Sequence, residues 1–205
     1  MKETQFIKLF TTIFLFLSSI TLLNSCAVTE EKINIDYISQ KDVPHVEGAE
    51  KVTVIVNVSD VRSIKDKVSC KKNGYGIEMG SIKSNENIAD IVKSAINEEI
   101  RKRGFNINDG SVTVGVELTR FYNDFKVGFF SGNADAEIIF NIQVRKSNGD
   151  IKYAKAFTEL HSEKGIMLSL GHNAKIALDK ALKNGVVKLM SDDSFIKAIL
   201  NSGSE

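Results

Sequence analysis

The chain has 205 residues, of which 42% are hydrophobic and 26% are charged, and its formal net charge is +1. This length supplies enough apolar surface for one ordinary domain, and this balance of residue types excludes an intrinsically disordered chain. A nearly neutral chain also lacks the positive charge with which proteins bind nucleic acids.

The N-terminus has the pattern of a secretion signal. Residues 1–8 carry Lys2 and Lys8, and residues 9–23 follow without a charged side chain. A helix of that length spans roughly 22 Å, which is short of the ~30 Å hydrocarbon core of a bilayer. The pattern therefore predicts a signal peptide over residues 1–25, with an uncleaved N-terminal membrane anchor as the alternative.

The residues Leu23-Asn24-Ser25-Cys26 resemble the lipobox of bacterial lipoproteins, in which a leucine stands three positions before a cysteine and a small residue directly before it. Asn24 departs from the small or β-branched residue that is usual at its position. The resemblance implies that the Cys26 thiol takes a diacylglyceryl group, that the chain is cut before this residue, and that the new amine is acylated, as with palmitate. Two or more acyl chains hold a protein stably on a membrane.

The residue after the lipidated cysteine bears on the final membrane. Ala27 stands where, by enterobacterial sorting rules, an aspartate would retain a lipoprotein at the inner membrane. The resemblance therefore implies the periplasmic face of the outer membrane, with the inner membrane as the alternative. Residues 1–25 hold two of the 27 basic and one of the 26 acidic side chains, which leaves 25 of each in the mature chain. A polybasic membrane patch is not expected.

The mature chain divides into a tether and one domain. Residues 26–50 are predicted to contain the lipidated cysteine and a polar tether, and residues 51–205 to form a single domain. The tether holds the only proline, Pro44, and lacks a sustained hydrophobic period. The exception is a group of apolar residues that could add a short strand and dock part of the tether, namely Ile33, Ile35, Tyr37 and Ile38.

The hydrophobic period of the domain changes along the chain and so predicts its elements. Apolar residues from 174 to 190 keep helical spacing through Asn184-Gly185, and we expect one continuous helix there, although glycine costs about 1 kcal/mol relative to alanine. The predicted elements are a strand from 52 to 59, a hairpin over 69–77 with a type I′ turn at Asn73-Gly74, a helix over 88–103 capped by Ser84 or Asn85, strands over 112–118, 134–145 and 151–161, the helix over 174–190, and a short helix over 195–200 capped by Asp192 or Asp193.

These elements predict an α+β fold. Clean alternation of apolar and polar residues, as over 134–145, is typical of a strand with one wet face. Such strands occur in antiparallel sheets that are covered on one side only. We therefore expect a two-layer sandwich, in which two main helices cover one face of an antiparallel sheet.

Several segments, in their order and spacing, resemble the YajG-like family of bacterial outer-membrane lipoproteins. The resemblance runs over nearly the whole mature chain and implies a location and an architecture. That family is largely uncharacterised, so the resemblance implies no reaction and carries no catalytic residues. The segments are the lipobox, Ser59-Asp60-Val61-Arg62, Asn73-Gly74-Tyr75-Gly76, a helix closing in Arg103-Gly104-Phe105, and a last helix ending near Ser191-Asp192-Asp193.

The sequence lacks the patterns of an enzyme or a metal site. Neither a His-x-x-x-His nor a Cys-x-x-Cys pair is present, so structural zinc is unsupported. Glu159, His161 and Glu163 share a predicted strand face, but this spacing is more typical of a solvated polar surface than of a metal or acid–base cluster. We predict no catalytic residue, no metal and no cofactor.

Two other reactive or charged features have structural interpretations. Asp60 and Arg62 are expected to form a local ion pair that holds a strand end, with a partner contact as the alternative. Cys70 has no strong activating surroundings and is expected to be a structural cysteine.

An aromatic loop is the strongest candidate for a contact surface. Phe125, Phe129 and Phe130 lie between two predicted strands, in residues 123–132. They could enter a lipid bilayer or dock on a protein, and the alternative is a loop folded back over the sheet edge. The open face of the sheet is a second candidate surface.

The predicted function is therefore that of a non-enzymatic, lipid-anchored periplasmic domain. It is expected to bind an envelope protein, glycan or lipid and no nucleic acid, and to act in envelope assembly or maintenance. One alternative is an accessory lipoprotein of a lipid or lipopolysaccharide transport system, which would have a hydrophobic groove between helices and sheet. The other is a cell-wall enzyme.

Overall fold

The computed structural model describes residues 29–203, so the predicted signal peptide and Cys26 lie outside the described residues. A short 3₁₀ turn (Ala49–Lys51) precedes the second strand. The strands are β1 (Glu31–Ile33), β2 (Thr53–Asp60), β3 (Ser69–Lys72), β4 (Glu78–Ser84), β5 (Asn106–Ile107), β6 (Val112–Lys126), β7 (Gly132–Lys146) and β8 (Ile151–Ile166), and the helices are α1 (Ile88–Lys102), α2 (Gly171–Met190) and α3 (Asp193–Ser202).

Within this part of the chain, the main sheet has the strand order β5–β2–β6–β7–β8. Strands β6, β7 and β8 are antiparallel, whereas β2 runs parallel to both β5 and β6. The predicted α+β sandwich is confirmed, but the sheet is mixed and not antiparallel throughout. The long connection from β2 to β6, which includes α1, allows this parallel pairing, because a crossover can return the chain to the same end of the sheet.

The helices cover one face of the main sheet. The inward side chains of β7, from Ala134 to Val144 at every second position, are at most 1% exposed. Gly185 lies on the buried stripe of α2, where an added Cβ would stand only 2.9 Å from the ring of Phe140. The predicted continuous helix is confirmed, and the close contact between α2 and β7 explains why glycine is accommodated there.

The helix ends follow the sequence closely. The side chain of Asn87 caps α1 by accepting a hydrogen bond from the backbone N–H of Ala89 at 2.8 Å, so the cap is neither Ser84 nor Asn85. Asp192 caps α3 as predicted, because its carboxylate accepts from the backbone N–H of Ser194 at 3.0 Å. Such caps satisfy N–H groups that lack a partner within the helix.

A smaller sheet, in the order β1–β4–β3, lies beside the second half of β6. The predicted hairpin is confirmed as β3 and β4, but its turn is wider than a two-residue type I′ turn. The backbone N–H of Asn73 donates to the carbonyl of Ile77 at 3.0 Å, and Gly76, with φ of 80°, takes the left-handed conformation instead of Gly74. The side chain of Asn73 also accepts from the N–H groups of Tyr75 and Ile77, which stabilises the wider turn.

Most of the predicted tether packs on the domain. Ile33 and Ile35 are only 6% and 5% exposed, and a short strand is present as β1, but it ends at Ile33, so Ile35, Tyr37 and Ile38 lie beyond it. Ala49 is fully buried, and Val46 packs against the core. The packed part of the chain therefore begins at Glu31 and not at residue 51.

A buried carboxylate fastens this segment to α1. Glu99, which is fully buried, accepts hydrogen bonds from the hydroxyl of Tyr37 at 2.8 Å and from the backbone N–H of Gln40 at 2.7 Å. The guanidinium of Arg103 pairs with Glu99 at 2.8 Å and also donates to the Gln40 side chain at 2.9 Å. We call these four residues the Glu99 clasp.

Candidate functional site

The β6–β7 hairpin and the β8–α2 connection meet at one end of the domain and form an exposed apolar surface. We define this apolar tip as Val127, Phe129, Phe130, Met167 and Leu168. Phe129 and Phe130 are 94% and 86% exposed, and Met167 is 83% exposed. The two phenylalanine rings stand edge to face with their centroids 4.8 Å apart. Contiguous exposed apolar side chains of this kind mark interaction sites more often than scattered ones do.

Two glycines close the hairpin loop tightly. A Cβ on Gly128 would lie 2.2 Å from the carbonyl oxygen of Ser131, and a Cβ on Gly132 would lie 2.2 Å from the carbonyl oxygen of Lys126. Any larger residue would collide with the backbone at these positions, so the loop depends on glycine. The side chains of the two phenylalanines between these glycines project into solvent, and the loop does not fold back over the sheet edge.

Phe125 does not belong to the tip, which corrects the prediction made from the sequence. It lies on the inward face of β6 and is 1% exposed. The predicted strand ended at Leu118, whereas β6 continues to Lys126 through an irregularity between Leu118 and Arg120. An extra residue there shifts the alternation, so Phe121 and Phe125 turn towards the core.

Met167 and Leu168 were not predicted as part of the contact surface. The pairing of Gly132 with Ile166 brings the β8–α2 connection beside the hairpin loop. A sequence signal did exist, because residues 165–171 and 127–134 both lack Asp, Glu, Lys and Arg. Only the pairing of β7 with β8 brings these two uncharged segments side by side.

The polar side chains on one face of β8, which are Glu159, His161 and Glu163, connect the strand to α2. Glu163 pairs with Lys180 at 2.6 Å, and Glu159 pairs with Lys188 at 3.6 Å. His161 lies 3.3 Å from Glu163. Hydrogen bonds from Lys180 and His161 hold the pKa of Glu163 below its ordinary value. In residues 29–203, no group of three or more His, Cys, Asp and Glu side chains is placed to hold a metal ion.

The ion pair predicted at the end of β2 is confirmed. The guanidinium of Arg62 contacts the Asp60 carboxylate through two nitrogens, at 2.9 and 2.7 Å, and its side chain is only 5% exposed. Burial raises the pKa of Asp60, but the hydrogen bonds and the charge of Arg62 outweigh it, so the pKa is lowered. This buried pair orders the strand end and leaves little surface for a partner.

Cys70 is a free, buried thiol. Its sulfur lies 3.3 Å from the carbonyl oxygen of Gly80 on the neighbouring strand. Burial is the largest of the effects that raise the pKa of this thiol. Because the thiolate is the reactive form, these surroundings fit the structural cysteine that we expected.

The open face of the main sheet, the second candidate surface, is mainly polar. A shallow groove crosses it over Gly115 and is lined by Asn57, Glu117, Gln143 and Arg145 among others. These side chains project from neighbouring strands and form a mixed field of amides and opposite charges. The apolar tip is therefore the surface that offers contiguous exposed apolar area.

The layer between the helices and the main sheet is filled by side chains. Ile138 and Phe140 of β7 and Leu178 and Leu182 of α2 are each at most 1% exposed. In the described residues, a packed core thus occupies the place where a lipid carrier of this architecture would need a groove. No helix within 29–203 combines the length and the apolarity that crossing a bilayer requires.

Comparison with known proteins establishes the family. Residues 39–200 match a family described as uncharacterised lipoproteins, and the chain belongs to that family. No curated protein matches the chain in sequence. The lipoprotein prediction is confirmed at this level, and the narrower YajG-like resemblance stays a prediction.

A solved structure supports the fold. A protein from Xanthomonas campestris assigned to family DUF330 is similar with a TM-score of 0.57 and 13% identity, over 84% of this chain and 95% of its own. A minor lipoprotein from Acinetobacter baumannii is similar with a TM-score of 0.45 and 5% identity, over 72% of this chain and 95% of its own. At such low identity, the first of these similarities indicates a shared architecture and no shared activity.

Proposed function

We propose that this chain is a lipid-anchored lipoprotein on the periplasmic face of the outer membrane, and that its domain is a non-catalytic binding module of the cell envelope. Membership of a lipoprotein family supports the class of protein. The lipobox that ends at Cys26 supports the anchor. The observation that carries the binding role is the exposed apolar tip, with Phe129 and Phe130 at its centre.

The arrangement of polar side chains supports a non-catalytic role. An active site needs a nucleophile, acid or base that is free to meet a substrate. Glu159 and Glu163 instead bind lysines of α2, and Asp60 binds the buried Arg62. Cys70 is buried against a backbone carbonyl. Each of these groups thus contributes to holding the fold together.

Acyl-chain labelling tests the anchor. Cells that express the full chain are fed labelled palmitate, and the label is expected in the wild-type protein and absent from the Cys26→Ser variant. Cys70→Ser is the matched control, because it removes the other cysteine and should keep the label. Globomycin, which blocks the lipoprotein signal peptidase, should cause the uncleaved precursor to accumulate. A natural protein that begins at Met1 or lacks a fatty acid at residue 26 would contradict the proposal.

Membrane fractionation tests the location. The labelled protein is expected in the outer-membrane fraction, and recovery with the inner membrane would contradict that part of the proposal.

Photo-crosslinking in cells tests the binding role. A photoreactive amino acid in place of Phe130 is expected to form adducts with an envelope lipid, glycan or protein. Leu160, which is 66% exposed on the open sheet face, is the matched control position. Equal adduct formation at the two positions, or none at Phe130, would count against the apolar tip as the contact surface.

A further inference from the structure

We infer that the apolar tip inserts into the same phospholipid surface that holds the lipidated Cys26, so that the domain docks on the membrane in one orientation. This inference rests on the lipid anchor proposed above. The expected partner of the tip is a phospholipid monolayer. Strand direction, chain length and the charge around the tip support it.

The direction of β1 places the start of the packed chain at the tip end of the domain. The turn that leads into β4 carries Gly74, which borders the same hollow as Phe129 and Met167. Strand β4 therefore begins near the tip and runs away from it. Strand β1 is parallel to β4, with Glu31 paired to Ile82, so the chain enters β1 from the side of the tip.

Contacts of Glu31 lead to the same conclusion. A Cβ built on Gly171 would lie 2.4 Å from Oε1 of Glu31 and 2.8 Å from a methyl group of Ile33. Gly171 is the first residue of α2 and follows Leu168 of the tip by three positions. The beginning of β1 therefore lies directly beside the segment that carries two of the five tip residues, Met167 and Leu168.

The length of the connecting chain restricts the orientation. Five residue steps separate Cys26 from Glu31, and they span at most about 18 Å whatever their conformation. The 15 residues of β7 alone extend over about 50 Å from the tip to the far end of the sheet. A bilayer that holds Cys26 must therefore lie within about 18 Å of Glu31, which excludes an orientation in which only the opposite end of the domain contacts the membrane.

The charge pattern around the tip fits a phospholipid surface. Residues 127–134 and 165–171 carry no charged side chain, and Lys126 and Lys164 stand immediately before them in the chain. The side chain of Lys126 is 62% exposed and pairs with Asp124 of the same strand. Apolar side chains that enter the boundary between headgroups and acyl chains are commonly flanked by lysines, whose ammonium groups stay among the phosphates.

Tryptophan fluorescence tests the inference, because the chain contains no tryptophan. The lipidated protein is extracted from native membranes and reconstituted in vesicles of phosphatidylethanolamine and phosphatidylglycerol with brominated acyl chains. The Phe130→Trp variant is expected to shift its emission to the blue and to lose most of it through bromine quenching. Ile151→Trp is the matched control, because Ile151 is 53% exposed and lies at the far end of β8. It should keep its emission.

The outcomes separate this inference from the anchor. If the protein stays on the vesicles and Phe130→Trp is quenched no more than Ile151→Trp, tip insertion is overturned and the anchor stands. If the wild-type protein extracted from native membranes does not stay on the vesicles, the anchor is overturned and the inference falls with it. Met167→Trp reports from the other segment of the tip and is also expected to be quenched, and full emission from it would overturn insertion of the tip as a whole.

Discussion

Neutralising Glu99 is expected to destabilise the domain strongly. The Glu99→Gln substitution keeps the size of the side chain but removes the negative charge that faces the guanidinium of Arg103. Glu99 is fully buried and Arg103 is 7% exposed, so water cannot replace the lost partner. Removing one member of a buried ion pair costs about 3–5 kcal/mol, because the other charge remains buried without compensation. Since glutamine can still accept from Tyr37 and Gln40, we expect a loss of about 3 kcal/mol.

Urea unfolding followed by circular dichroism at pH 7 measures this loss. Glu98→Gln is the matched control, because Glu98 precedes Glu99 in the same helix, is 45% exposed in its side chain and lies 3.8 Å from Lys102. Such an exposed pair contributes about 0.5 kcal/mol or less. A loss below about 1 kcal/mol for Glu99→Gln, or equal losses for both variants, would refute the argument that the Glu99 clasp is a buried charge pair.

The same pair predicts a pH dependence. Burial raises the pKa of Glu99, but hydrogen bonds from Gln40, Arg103 and Tyr37 outweigh burial, so the pKa in the folded protein is lowered. A carboxylate of this kind contributes stability above its unfolded pKa, and the contribution is lost as the pH falls through the lower, folded pKa. The stability difference between wild type and Glu99→Gln should therefore stay constant near neutral pH and shrink below pH ~4. A difference that grows on acidification would contradict the assignment.

Three further predictions concern packing, the thiol and a helix cap. Gly185→Ala should cost about 1 kcal/mol, because crowding against Phe140 outweighs the gain in helix propensity, and the cost should shrink in a Phe140→Leu background when both are measured by thermal unfolding. Cys70 should react with a thiol reagent only when the domain opens, and labelling as fast as in the unfolded chain would contradict its burial. Asp192→Ala should cost about 1–2 kcal/mol in urea unfolding, because α3 loses its cap and the Tyr153 hydroxyl loses its 2.9 Å partner, and an unchanged midpoint would contradict this role.

The sequence predicted those elements whose period continues over many residues. The helical stripe of α2 passes through Gly185 without a change of phase, and this outweighed the local turn signal of Asn184-Gly185. The alternation in β7 likewise identified its buried face correctly. These features depend on neighbours within one element, so a single sequence contains the information needed to predict them.

The direction of β2 and the end of β6 depend on pairing between strands that are distant in the chain. Alternation is the same whether β2 pairs with β6 in parallel or antiparallel, so the period could not reveal the mixed sheet. The irregularity after Leu118 hid the second half of β6 and led to the wrong placement of Phe125 in the loop. A shift of one residue exchanges the two faces of a strand, and only the pairing with β7 reveals it.

The lipobox at Cys26 and the exposed pair Phe129-Phe130 can be recognised from local residue order alone. The docking of residues 31–50 cannot, because the partners of Glu99 in this segment are about 60 positions away in the chain. Met167 and Leu168 likewise join the tip only through the pairing of β7 with β8. Local residue order therefore predicted an anchor at Cys26 and the individual elements, whereas contacts between distant segments decided which apolar side chains share a surface and how residues 31–50 pack on the domain.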